Sequence, residues 1–187
     1  MKINDFNIPT FLTLFRLVVS PLCLPFLFMY GLPYNNSFVS YFIALFFILL
    51  SFTDFLDGYL ARKYKQETVL GRALDPIADK FLLFSALISL VALHKIYFYW
   101  AIIFIAREFF IMGLRIVALE NSITVHVSWL GKLKTIAQII YITMIIINAP
   151  YSEFALSVAL FLSLASAYFY YISFMEQFAQ KKFHPIG

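Results

Sequence analysis

Residues 41–62 read YFIALFFILLSFTDFLDGYLAR. The first half, Tyr41–Phe52, carries no charge and only one small polar residue, Ser51. Wound as a helix it is apolar on every side, which suits a bilayer or the inside of a large core and not a helix with one face in water. The second half changes character. Asp54, Asp57, Gly58 and Ala61 stand at i, i+3, i+4 and i+7, one face of a helix. That face joins two carboxylates to two residues with almost no side chain, leaving a notch where a ligand can touch backbone. Ionisable groups within a membrane span are expensive and mark functional sites.

The rest of the chain repeats the apolar theme. Phe81–Leu93 and Ile136–Ile147 are also free of charge. Of the 187 residues, 63% are hydrophobic and 13% charged, against roughly 25% charged in a soluble domain. Mean hydropathy is +0.86. A membrane span needs about 20 mostly apolar residues, so the reading is an all-α polytopic membrane protein, residues 1–187 forming one transmembrane domain. Six transmembrane helices are expected near 12–30, 38–60, 76–94, 97–119, 131–149 and 153–175. Gly31-Leu32-Pro33-Tyr34-Asn35-Asn36, His94-Lys95 and Ala149-Pro150 punctuate them. Residues 1–11, with Phe6, Ile8 and Phe11 beside Lys2 and Asp5, fit a short N-terminal interfacial helix as well as a flexible terminus. The N-terminal apolar stretch is long enough to span and has no small-residue cleavage site.

Tyr30, Tyr34, Tyr97, Tyr99, Trp100, Trp129 and Tyr151 fall near span ends, as an aromatic belt does. A single cysteine, Cys23, excludes an intramolecular disulfide and a cysteine metal cluster. With the N-terminus cytoplasmic, Lys2, Arg62, Lys63, Lys65, Arg72, Lys80, Lys132, Lys134, Lys181 and Lys182 lie at or near that side, and only Lys95 falls clearly outside. That asymmetry puts both termini inside. The net charge of +4 is then a topological signal, and with no basic, base-stacking soluble face nothing speaks for nucleic acid.

The third span opens Gly71-Arg72-Ala73-Leu74-Asp75-Pro76-Ile77-Ala78-Asp79. Gly71, Asp75 and Asp79 again share one face. Two neighbouring helices therefore each bring two Asp to the same depth. Four gathered carboxylates repel one another and neutralise unless cations intervene. Hard oxygen donors suit Mg²⁺, Mn²⁺ or Ca²⁺, and four carboxylates can hold two divalent ions with positions open to phosphate oxygens. Arg62, Lys63, Lys65 and Arg72 add cations for phosphate. Taken singly, each Asp is otherwise a helix cap or a headgroup-level charge; Asp75 before Pro76 suits a cap especially well.

Asp54-x2-Asp57-Gly58-x2-Ala61-Arg62-x8-Gly71-x3-Asp75-x3-Asp79 resembles, at every fixed position, the signature of the CDP-alcohol phosphotransferase family, eight residues at fixed spacing over 26 positions. Asn7-Ile8-Pro9, Leu12-Thr13 and Arg16 at the start, Ala106-Arg107-Glu108-Phe109 with Gly113-Leu114-Arg115, and Ser128–Thr135 with Gln138 resemble the phosphatidylglycerophosphate synthase branch. Thr10 stands where relatives often carry Asn. The last span offers no motif. The resemblance implies six transmembrane helices, a homodimer among membrane lipids, two divalent cations (Mg²⁺ or Mn²⁺), CDP-diacylglycerol as donor and glycerol 3-phosphate as acceptor. It implies a bacterial cytoplasmic membrane with the active site on the cytoplasmic side. By resemblance Asp54, Asp57, Asp75 and Asp79 are metal ligands, and Asp79 is also the general base. Asn7, Thr13, Gly58, Ala61, Arg62 and Gly71 go with the CDP-lipid.

An acceptor bearing a phosphate dianion is repelled by four carboxylates and needs cations of its own. Arg107 and Arg115, eight apart on the fourth span, and Lys132 and Lys134, opening the fifth, are the candidates for acceptor phosphate binding. Arg107 can instead form an ion pair with Glu108 or an Asp, and the two lysines can simply anchor the cytoplasmic end. Sister enzymes using phosphatidylglycerol, inositol phosphate or serine share the Asp pattern. A cation transporter is a more distant alternative, and it is expected to place carboxylates near mid-membrane, often in repeats.

Overall fold

The computed structural model describes the backbone at 8–34, 36–63, 69–121, 123 and 129–183, and side chains at 17–34, 36–53, 80–121, 123 and 129–180. The described residues form six long helices and no strand: α1 (Ile8–Gly31), α2 (Ser37–Lys63), α3 (Val69–Ala92), α4 (Phe98–Glu120), α5 (Trp129–Ile146) and α6 (Ser152–Phe183), with one 3₁₀ turn at Leu32–Tyr34. At 1.5 Å per residue the 24 residues of α1 reach roughly 36 Å, more than the roughly 30 Å of a hydrocarbon core. Leu17–Tyr34, Trp129–Ile146 and Ser152–Gln180 are long and apolar enough to cross a membrane. Ser37–Thr53 and Lys80–Ala92 are shorter apolar stretches of α2 and α3. In α4, Arg107, Glu108 and Arg115 break the apolar run. The protein is an all-α integral membrane protein.

Two expected boundaries moved. Ile8–Phe11 are continuous with α1, while residues 1–7 of the expected interfacial helix lie outside the described residues. The third helix begins at Val69, not near Pro76. Asp75 is therefore an interior helical residue and not a cap. Proline deprives one carbonyl of its donor, a defect that membrane helices tolerate.

The chain divides into two compact units. One comprises residues 1–97 and 142–149. In it α1 packs along α3 and against α2. Leu24 and Phe28 line one stripe of α1 and Leu32 the 3₁₀ turn after it; Ile43, Ala44 and Phe47 line α2; Leu83, Ala86, Leu87 and Leu90 line α3, all buried. The opposite faces stay apolar and exposed, as at Leu22, Phe26, Phe42, Leu45 and Leu49. Helices apolar on both faces meet a lipid surround without a hydrophobic penalty. Gly31 permits close approach: a Cβ there would stand 2.5 Å from Ile43 Cδ1.

The turns of this unit follow from backbone accounting. After α3, His94 adopts φ 56°, and the His94 and Lys95 amides donate to Val91 O and Leu90 O, each at 2.9 Å. After α5, Asn148 at φ 51° repeats the pattern, Asn148 to Ile145 O at 3.2 Å and Ala149 to Met144 O at 2.8 Å. Both are left-handed helix stops that satisfy orphan carbonyls, and Asn suits that conformation. Lys95 Nζ donates to Asn148 Oδ1 at 2.6 Å, tying the two stops together. Burial holds the Lys95 ammonium below the usual lysine range. At the start of α2, Asn36 Oδ1 accepts from the Phe38 amide at 3.0 Å, a side-chain cap.

The other unit comprises residues 98–141 and 150–187. There α4 packs on α6. Ala118, Ile123 and Phe174 form a buried cluster with Leu114 and Phe178 against it. Phe110 meets Tyr171 with ring centroids 6.2 Å apart. Tyr34, Tyr97, Trp129 and Tyr151 stand highly exposed at helix ends, as amphipathic belt residues do.

Candidate active site

Asp54, Asp57, Gly58, Ala61 and Arg62 lie in the last turns of α2, and Gly71, Asp75 and Asp79 in the first turns of α3. Both stretches are unbroken helix. The spacing on which the sequence argument rests is therefore helical spacing: Asp54, Asp57, Gly58 and Ala61 occupy one face of α2, and Gly71, Asp75 and Asp79 one face of α3. Five residues, 64–68, separate the two helices along the chain and lie outside the described residues. The side chains of these eight residues, and of Thr13, lie outside the described residues, as does Asn7 altogether. The donor chemistry of this set fits hard divalent cations: four carboxylates, with no thiolate or imidazole among them. Among the described residues, no three of His, Cys, Asp or Glu come together to hold a metal.

The four candidate phosphate cations sort into two kinds. Arg107 and Lys134 are buried, at 8% and 3% exposure. Arg107 Nη1 donates to Glu108 Oε1 at 2.9 Å, and Lys134 Nζ donates to the same oxygen. Arg107 and Glu108 are sequence neighbours and so point about 100° apart on α4; only their length lets the heads meet. Arg107 Nε donates to the Ser163 carbonyl at 3.2 Å and Nη2 to Ser166 Oγ at 2.6 Å. The Ser166 hydroxyl in turn donates to Ser163 O at 2.9 Å. One carboxylate on α4 thus gathers a cation from its own helix and one from α5, and α6 completes the set.

Arg115 and Lys132 are exposed, and each lies over an aromatic ring. The Arg115 guanidinium is 5.8 Å from the centroid of Tyr170, itself buried at 7% exposure on α6. Lys132 Nζ is 5.7 Å from the Trp129 centroid. Such contacts are worth about 0.5–2 kcal/mol and leave the N–H groups at the cation's edge available to another partner.

The pairing of Arg107 with Glu108 was one of two readings the sequence allowed. The contribution of α6 was not visible there. Ser163, Ser166 and Tyr170 sit at i, i+3 and i+7, a single helical face, and that spacing is the one signal that could have singled them out. Two polar atoms in this unit, Ser163 Oγ and Gln138 Oε1, are buried and without a hydrogen-bond partner among the described residues.

Comparison with known proteins bears on the same residues. The profile of the CDP-alcohol phosphatidyltransferase family matches residues 6–169. A Rickettsia prowazekii protein named CDP-diacylglycerol–glycerol-3-phosphate 3-phosphatidyltransferase is 35% identical over 176 residues, covering 89% of this chain and 94% of its own length. Proteins of the same name from Haemophilus influenzae and Bacillus subtilis are 43% identical over 141 residues and 39% over 136. The first alignment covers 72% of each chain, the second 68% of this chain and 70% of the relative. With both Asp-bearing faces, α2 and α3, inside the matched span, the chain belongs to the CDP-alcohol phosphatidyltransferase family.

Proposed function

We propose that this enzyme transfers the phosphatidyl group of CDP-diacylglycerol to the 1-hydroxyl of glycerol 3-phosphate, giving phosphatidylglycerophosphate and CMP. The observation that carries the reading is the unbroken helical setting of the eight-residue pattern from Asp54 to Asp79, within a chain whose relatives bear that enzyme's name. Asp54, Asp57, Asp75 and Asp79 hold two divalent cations, Mg²⁺ or Mn²⁺. Bound there, these supply Lewis-acid polarisation of the donor's diphosphate and offset the mutual repulsion of the carboxylates.

The chain's own groups do the rest. Gly58 and Ala61 give the cytidine a face without side-chain bulk, with Gly71, Asn7 and Thr13 also on the donor side. Asp79 accepts the proton of the acceptor hydroxyl. The oxygen so released attacks the phosphorus bonded to diacylglycerol, the diphosphate bond breaks, and CMP leaves with its new charge beside Arg62. Positioning and electrostatics supply most of the acceleration, as in phosphoryl transfer generally. Arg115 and Lys132, exposed and held on aromatic rings, are the contacts for the acceptor's phosphate, with Arg107 and Lys134 as the buried members of the same cation set. The lysine and arginine asymmetry supports a cytoplasmic active site and cytoplasmic termini in a bacterial inner membrane, and the family resemblance supports a homodimer.

An acceptor panel tests this. With purified enzyme, CDP-diacylglycerol and Mg²⁺ or Mn²⁺, CMP release is expected with glycerol 3-phosphate and not with phosphatidylglycerol, inositol phosphate or serine. Release with another acceptor only would replace the acceptor assignment and leave the donor chemistry standing. Arg115→Ala is expected to raise the KM for glycerol 3-phosphate by about tenfold or more, the loss of one charge-assisted contact, with the KM for the CDP-lipid nearly unchanged. Equal effects on the two KM values count against Arg115 as a phosphate contact.

A further inference from the structure

We propose that Glu108 is a positioning residue for the acceptor's phosphate, acting through Arg107 and Lys134. The inference rests on the reading above that the cations of α4 and α5 receive that phosphate. Its own basis is the geometry of one oxygen. Glu108 Oε1 accepts from Arg107 Nη1 on α4 and from Lys134 Nζ on α5. Glu108 is 4% exposed, so the carboxylate is a fixed, dry counter-ion. Two buried cations on different helices would otherwise repel each other and turn toward water.

Glu108 is shared: Arg107 and Lys134 both donate to the same carboxylate oxygen. Arg115, two turns along α4, adds a like-charge repulsion on Arg107. A purely structural ion pair is best neutral, with every polar atom satisfied. This one leaves polar atoms over. Arginine has five N–H donors; Arg107 spends three of them on Glu108, Ser163 O and Ser166 Oγ, leaving one N–H on each Nη beyond these bonds. Gln138 Oε1, one turn beyond Lys134 on α5, and Ser163 Oγ are buried without a partner among the described residues. The surplus is planar cationic donors and unpaired oxygen, which suits a phosphate monoester carrying a free hydroxyl. Glu108 sets the direction in which the surplus points, because it clamps Nη1 while α6 clamps Nε and Nη2.

The role predicts a kinetic signature that a mere brace between helices lacks. Glu108→Gln keeps the shape and loses the charge. With full-length enzyme in detergent micelles, it is expected to raise the KM for glycerol 3-phosphate about tenfold, the worth of one charge-assisted contact, while the KM for CDP-diacylglycerol stays within about twofold. Glu108→Asp, which keeps the charge, is expected to recover most of that loss. Where Glu108→Gln yields no folded protein, Ser166→Ala removes one Arg107 bond and no charge, and is expected to raise the same KM about threefold.

Arg115→Ala, measured alongside, separates the two claims. If it leaves the glycerol 3-phosphate KM unchanged, the acceptor reading itself fails. If Arg115→Ala raises that KM and Glu108→Gln does not, or if Glu108→Gln lowers thermal stability and shifts both KM values alike, the acceptor reading stands and the role of Glu108 is overturned.

Discussion

Replacing Asp79 by Asn is expected to lower turnover by about 10³-fold or more, while binding of the CDP-lipid stays measurable. A positioned general base contributes roughly 10²–10⁴-fold, and on the proposed function Asp79 is both base and cation ligand. An amide cannot take the proton and is a poorer ligand, so both contributions fall together. On the proposed function the donor's cytidine and acyl chains are held elsewhere, by the Gly58 and Ala61 face and by the membrane, so donor affinity is expected to fall much less than rate. The measurement is single-turnover CMP release beside equilibrium binding of the donor lipid. Near-normal turnover in Asp79→Asn would falsify the base assignment. Loss of donor binding in step with loss of rate would assign Asp79 to substrate holding instead.

A second large effect is expected at Asp57. Asp57→Asn removes one of four carboxylates and is expected to cut activity about 100-fold at ordinary metal concentration, the scale on which altered metal sites lose affinity or activity. It should also raise the Mg²⁺ or Mn²⁺ concentration needed for half-maximal rate. The two parts of the result matter together. Excess metal should restore part of the rate in Asp57→Asn and little in Asp79→Asn, because only the second loses the proton acceptor. If excess metal restores neither, or if Asp57→Asn responds to metal as the parent enzyme does, Asp57 does not serve as a ligand.

Much of this architecture was legible because its signals are local. An apolar run such as Tyr41–Phe52 has one comfortable environment, and the six expected spans match six long helices within a few residues at most ends. The α2 pattern was readable for the same reason: i, i+3, i+4 and i+7 need only a helix. The beginning of α3 was harder. Pro76 suggests a start, since proline suits a first turn, yet the helix runs from Val69 and the proline sits in its interior. That choice depends on surroundings that excuse one missing hydrogen bond, which no window of sequence contains.

The cation set shows the same limit more sharply. Arg107, Arg115, Lys132 and Lys134 look equivalent in a list of charges. Two are buried around a carboxylate and two lie on aromatic rings. What separates the two arginines is where each meets α6, whose Ser163, Ser166 and Tyr170 are unremarkable in an apolar helix and acquire meaning only against α4. Glu108 was visible as a partner for Arg107; its second partner, 26 residues away on α5, was not.

On the proposed function, α2 and α3 present carboxylates that are tolerable together only with divalent cations among them. Mn²⁺ binding by the purified enzyme, counted by electron paramagnetic resonance in the presence of a CDP-lipid, tests this most directly. Two ions per chain are predicted, with binding greatly weakened when Asp54, Asp57, Asp75 and Asp79 are all changed to Asn. No Mn²⁺ bound above background, or equal binding by the fourfold variant, would contradict it.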